Sequence, residues 1–289
     1  MTGRPGPVEF FSQSLKSESY YADEFINIYL LRPLASAIVW LLYPTSVTPN
    51  QVTVAAILVG FAAAAVYTFN TPPAIAVAGL LVMAKDILDD ADGQLARAKA
   101  LYSRRGRFID SIGDFVVDVA LFTAITSIVV QSHSGISTII FGGLSFVGIT
   151  VRVSYHVFYQ ASFLHLEHRY RLNRIIEVIT EEDRAGDPVA LRLQSIFNLI
   201  YTWQDKLMYR IDDWCKGREF SEENNLRWYS DRPGLRMSGL LGFGTEFALL
   251  TVCSLMNELY LYLLLNVFLM NGVLVASIAY RRVVLRSRS

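Results

Sequence analysis

Asp89-Asp90-Ala91-Asp92-Gly93-Gln94-Leu95-Ala96-Arg97, followed by Gly106, Asp110 and Asp114, is the stretch on which the reading of this chain turns. Asp89 and Asp92 are three residues apart, and Asp110 and Asp114 are four apart. On helices, each spacing places the pair on one face. A short polar link joins the two segments, which predicts antiparallel neighbouring helices whose acidic faces meet. Four carboxylates drawn together repel strongly at low dielectric, and charges within apolar helices mark function. Divalent cations remove the conflict. An all-oxygen donor set suits hard ions, Mg2+ or Mn2+ first, with Ca2+ also accommodated. Carboxylate-held Mg2+ keeps positions open for substrate phosphates, and a pair of such ions holds a diphosphate and stabilises its leaving oxygen.

Outward from this stretch the chain reads as an all-α, polytopic membrane protein. Hydrophobic residues make up 53% of the 289, and mean hydropathy is +0.34, more apolar than a soluble domain of this size needs. The net charge of zero gives no field directed at nucleic acid. Cys215 lies in a polar stretch and Cys253 in an apolar one, which argues against a disulfide framework.

Six apolar runs, roughly 52–69, 73–88, 107–131, 136–160, 237–257 and 259–280, approach the about 20 residues that span a bilayer. The linkers after spans one, three and five, Asn70-Thr71-Pro72, Gln131 to Ser137 and Met256-Asn257-Glu258, contain no Lys or Arg. The opposite side receives Lys99, Arg104, Arg105, Arg107, the basic residues of 161–236, and Arg281, Arg282, Arg286 and Arg288. Both termini and the acidic ends of spans two and three are therefore expected on the cytosolic face.

Residues 22–47 are apolar but interrupted by Arg32-Pro33. A full span there would bury Arg32 in lipid and invert everything after it. An interfacial amphipathic helix fits better, with Trp40 and Tyr43 at a suitable depth. Residues 161–236 are polar, with Phe197, Ile200, Trp203, Leu207, Ile211 and Trp214 near helical spacing. They read as a cytosolic helical insertion, either a hairpin or a surface helix on the membrane, serving mostly as a connector. The expected divisions are a cytosolic tail (1–21), the interfacial helix (22–47), a membrane core with spans one to four (48–160), the insertion (161–236), and spans five and six with a basic tail (237–289).

The eight positions Asp89, Asp92, Gly93, Ala96, Arg97, Gly106, Asp110 and Asp114 fit D-x2-D-G-x2-A-R-x8-G-x3-D-x3-D without departure. This resembles the CDP-alcohol phosphotransferase (CDP-alcohol phosphatidyltransferase) family. Thr48 to Thr53 resembles the segment that opens the family's first span, while 161–236 is longer than the link expected there. The resemblance implies that Asp89, Asp92 and Asp110 ligate the metals, and that Asp114 shares in this and acts as general base on the acceptor hydroxyl. It implies that Gly93, Ala96 and Arg97 line the CDP site. The hydroxyl would attack the phosphorus nearer the donor's alcohol and CMP would leave, a step of phospholipid biosynthesis. Membrane lipid is an expected partner, and a homodimer is left open.

Asp86 and Asp118 extend the two acidic faces by one turn each and serve the nucleotide, water or the cavity wall. Arg152 and Glu246 lie inside spans four and five. They form either an acceptor pocket, in which Arg152 with Arg232 or Arg236 grips a phosphate or carboxylate, or a structural ion pair. Gly239, Gly242 and Gly244 are expected to allow close helix packing. Two substrate arrangements stand: CDP-diacylglycerol donating to a polar alcohol, which a phosphate-gripping arginine favours, or a CDP-polar alcohol donating to a lipid alcohol. A divalent-cation transporter would account for the acids but not for Gly93, Ala96 and Arg97 in register.

Overall fold

The computed structural model describes residues 18–133, 135–166, 177–217 and 220–288. Most of the expected tail 1–21, and 167–176 of the expected insertion, lie outside the described residues. Among the described residues every regular element is helical. A short apolar helix, α1 (Asn27–Leu42), comes first. Four long helices follow: α2 (Pro49–Tyr67), α3 (Pro72–Lys99), α4 (Arg104–Ser132) and α5 (Ile136–Leu166). Then come α6 (Pro188–Lys216), α7 (Arg232–Leu241), α8 (Phe243–Leu255) and α9 (Leu259–Leu285).

The sequence punctuates these helices locally. Pro49 occupies the first turn of α2, where a missing N–H costs nothing, and the Thr48 N–H donates to Gln51 Oε1 at 2.9 Å. Pro72 opens α3 in the same way. Ala100 ends α3 in the left-handed region at φ +53°, and the Leu101 N–H returns to the Ala96 carbonyl at 3.0 Å. Ser103 then caps α4 by accepting from the Gly106 N–H at 3.0 Å.

Helices α2, α4, α5 and α9 are long and apolar enough to cross a membrane, and α7 with α8 makes a fifth if that pair, bent by 43°, is one span. The sequence reading predicts six. The difference is α3, whose 28 residues are long enough but whose uncharged run ends at Ala84, before Lys85 and Asp86. The bend falls at Gly242. There Glu24 reaches in from the segment before α1 and accepts the Thr245 N–H at 3.0 Å, satisfying the start of α8. Gly239 and Gly242 make room for Asp23 and Glu24 rather than for a neighbouring long helix.

The packing also departs from expectation. α2 lies against both α3 and α4, which meet each other only weakly. Glycines explain it: a side chain at Gly60 of α2 would run into Val117 of α4, and one at Gly113 of α4 into Ile57 of α2. The two backbones therefore approach closely, and α2 is wedged where α3 and α4 were expected to touch. Gly79 does the same between α3 and α8, facing the Ser254 side chain and the Thr251 Cα. Gly79→Leu is expected to destabilise the fold by about 1–3 kcal/mol through overpacking. The readout is a lowered thermal midpoint in detergent, with Gly143→Leu as the neutral control, since nothing lies within 4 Å of that position.

Candidate active site

Asp89 and Asp92 on α3 and Asp110 on α4 each offer a carboxylate oxygen, and these oxygens lie within 4.8 Å of one another. Asp92 is buried and Asp89 and Asp110 are half-buried, at the end of α3 and the start of α4. Thr53 of α2 donates its hydroxyl to Asp92 Oδ2, so the wedged helix orients one of the three acids. An all-oxygen, multiply anionic set of this size fits a hard divalent cation. The arrangement thus passes the chemical test for metal, with Asp89, Asp92 and Asp110 as the residues that converge.

Asp114, the fourth acid, is engaged differently. Its Oδ1 lies 2.5 Å from Lys85 Nζ, which is also 3.9 Å from Asp89 Oδ2. Lys85 is 2% exposed and sits against the Phe243 and Phe247 rings at 6.0 and 5.7 Å. Neither Lys85 nor Thr53 stands out as a site residue in the sequence. The one trace of Lys85 was a charge interrupting an apolar run. Asp86 and Asp118 are buried too, and Asp86 Oδ2 and Asp118 Oδ1 have no hydrogen-bond partner.

Around the acids, Gly93 faces the Arg97 guanidinium: a side chain there would meet Nη1 at 3.4 Å. Ala96 is half-buried and Arg97 exposed beside it. Gly106 leaves space for the Asn50 side chain. Gly93 and Ala96 thus lie one turn along α3 from Asp89 and Asp92.

The segment before and along α6 is docked on α4. Arg104 and Arg107 pair with Glu177 at 3.0 and 2.7 Å, Arg104 also with Asp183, and Arg105 with Asp187. Gln194 ties Glu177 to Asp183 from beneath at 3.1 and 3.2 Å. Phe197 packs on Phe108, and the Tyr201 hydroxyl donates to the Ser111 carbonyl at 2.7 Å. Further along α6, Asp212 accepts from Tyr159, Trp228 and Tyr229 at 2.7–2.9 Å. Two carboxyls of the connecting segments are shifted by burial. Glu24 is pushed well above the usual range, first by burial and then by the Asp86 charge. Asp205 is raised to about 6 by burial, with the Glu177 charge adding.

Arg152 and Glu246 are brought together, 2.7 Å apart and 0% and 1% exposed. Arg152 Nη1 also donates to Asn271 Oδ1 at 2.7 Å and to the Asn266 carbonyl at 3.1 Å. Glu246 Oε1 accepts from the Tyr262 hydroxyl at 2.9 Å and from Asn266. Arg236 is placed elsewhere, exposed and stacked on Tyr20 and Tyr21 at 5.2 and 5.4 Å.

Long apolar helices with convergent carboxylates at one end suit a membrane protein able to hold a metal ion. Comparison with known sequences gives the family. The CDP-alcohol phosphatidyltransferase family model matches residues 46–207, and the chain belongs to that family. Its relatives include the bifunctional IPC transferase and DIPP synthase of Thermococcus kodakarensis, 38% identical over 96 residues, which is 33% of this chain and 21% of that protein. The protein of the same description from Archaeoglobus fulgidus is 43% identical over 82 residues, 28% of this chain and 16% of its own length. That of Aquifex aeolicus is 37% identical over 78 residues, 27% of this chain and 17% of its own. The chain thus spans only about a fifth or less of the curated relatives it matches.

Proposed function

We propose that this protein transfers a substituted phosphate group from a CDP-alcohol to an acceptor alcohol, releasing CMP, within the membrane phase of phospholipid biosynthesis. The observation that carries the reading is the convergence of Asp89, Asp92 and Asp110 with Asp114 one turn deeper. Asp89, Asp92 and Asp110 would hold Mg2+ or Mn2+, which when bound supplies charge to the donor's diphosphate. Gly93 and Ala96 leave the helix backbone open to the nucleotide, and Arg97 reaches over Gly93 to its phosphates. Asp114, held through Oδ1 by Lys85, offers its other oxygen to the acceptor hydroxyl. It takes that proton as the oxygen attacks the phosphorus nearer the donor's alcohol, and the bond to CMP breaks in line.

The proposed donor is CDP-diacylglycerol, supported by the position of the acids at the ends of membrane-length helices. A second reading, a CDP-polar alcohol donating to a lipid alcohol, gains from Arg152. That residue is held by Glu246, Asn271 and the Asn266 carbonyl, so the phosphate-gripping arginine that favoured a polar acceptor is engaged elsewhere.

In the proposed topology α3 completes six spans, with α1 and α6 on the cytosolic surface, where both termini also lie. Exposed Leu199, Trp203 and Trp214 on α6, interspersed with exposed Arg192, Lys206 and Arg210, suit a helix resting on anionic headgroups. The domain divisions follow: an interfacial helix at 22–47, a core at 48–160, and an insertion at 161–236 that braces α4.

The test is CMP release from purified protein with Mg2+ or Mn2+, a panel of CDP donors and a panel of polar and lipid alcohols. Asp114→Asn is expected to lower kcat by about 10²–10⁴-fold, the range for losing a general base, while Mn2+ binding persists. An unchanged kcat removes Asp114 as the base. Metal-driven flux into vesicles without CMP release from any donor would replace the transferase with a transporter.

A further inference from the structure

The family motif supplies four carboxylates, but in this chain they do not act as one set. Three converge within 4.8 Å. The fourth, Asp114, is claimed by Lys85 at 2.5 Å. We propose that this protein binds one divalent cation, on Asp89, Asp92 and Asp110, and that the Lys85 ammonium supplies the fixed positive charge beside Asp114 that a second cation would otherwise provide. The proposal rests on the reading of the acidic cluster as a metal site.

The place for Lys85 is built. Its side chain is 2% exposed. Its stem passes Gly60 of α2, where a side chain would meet Lys85 Cγ at 3.4 Å. Its ammonium faces the Phe243 and Phe247 rings of α8 at 6.0 and 5.7 Å. Asp86 and Asp118 are close enough for their charges to act on it as well. Three helices thus fix the cation in position. A metal ion on Asp114 Oδ1 would sit about 2.1 Å from that oxygen, crowding an ammonium already in contact with it. Like charges at that separation, away from water, repel strongly. Asp89 Oδ2, 3.9 Å from the ammonium, is the acid shared between the two charges. The anionic substrate would then be faced by one exchangeable charge and one permanent one.

Counting bound Mn2+ tests this without turnover. The full-length protein in lipid nanodiscs is titrated with Mn2+, and binding is read from loss of the free-ion electron paramagnetic resonance signal. One tight ion per chain is expected for the wild type and for Lys85→Arg. Lys85→Met is expected to bind two, and Lys85→Met with Asp114→Asn to return to one. Two tight ions in the wild type overturn the proposal, and so does one in a folded Lys85→Met. If Lys85→Met does not fold, the wild-type and Lys85→Arg counts still decide. Absence of any tight ion in the wild type is a different failure: it removes the metal reading itself, whereas two ions leave that reading intact.

Discussion

Asp110→Asn is expected to reduce CMP release by on the order of a thousandfold and, in the same protein, to raise the thermal midpoint measured in EDTA. The two effects have one cause. Asp110 comes from α4 while Asp89 and Asp92 come from α3, so it alone closes the triad across the gap between helices. Without it two ligands remain on one helix, and a preorganised charge opposite the diphosphate is lost, which costs about 10²–10³ in kcat or more. In the absence of metal, however, the same carboxylate is a like charge among Asp89, Asp92 and Asp114, and its removal relieves repulsion. Saturating Mg2+ reverses the order. A ligand present at about 100 times its Kd stabilises the wild type by about 2.7 kcal/mol, and the variant gains little. Differential scanning fluorimetry in EDTA and in Mg2+, beside a CMP-release assay, reads all of this. Activity within tenfold of wild type, or the same midpoint order in both buffers, would show that Asp110 does not hold the ion.

What the sequence carries about this site follows from how information is stored in a helix. The Asp89–Asp92 and Asp110–Asp114 spacings are local, and a local spacing dictates a shared face whatever the neighbours do. The convergence of Asp89, Asp92 and Asp110 was legible for that reason. Lys85 was not, because its meaning lies in Asp114 on the following helix, and a lysine in an apolar run reads equally as the end of a span. The wedge of α2 between α3 and α4 was not read from the sequence. Gly60 and Gly113 show their meaning only once the facing Val117 and Ile57 are placed, and a short turn between α3 and α4 points to those two as neighbours. Arg104, Arg105 and Arg107 satisfied the positive-inside pattern on charge alone. Their pairing with Glu177, Asp183 and Asp187 is a long-range match that mixed-sign composition conceals. Hence 161–236 read as a connector, although its acids and aromatics brace the helix that carries Asp110 and Asp114.

Arg152→Met is the substitution expected to cost the most stability, about 3–5 kcal/mol, the range for breaking a buried pair by removing one partner. Glu246 would be left 1% exposed with only Tyr262 and Asn266 to serve it. Glu246→Gln is expected to cost less, since an amide oxygen can still accept from both. Combining the two should cost less than the sum by about 1–3 kcal/mol, the coupling expected of contacting residues. The same cycle separates the two roles the sequence left open. A structural pair predicts that the double variant, once folded, keeps the wild-type KM for the acceptor alcohol. A pocket in which Arg152 grips the acceptor's phosphate predicts a KM raised by about a hundredfold or more, since a charge-assisted hydrogen bond would be lost. With the guanidinium fully buried and shared among Glu246, Asn271 and the Asn266 carbonyl, the first outcome is expected. Specificity for the acceptor then has to be sought nearer the carboxylates, around Asp114, the acid proposed to meet the acceptor hydroxyl.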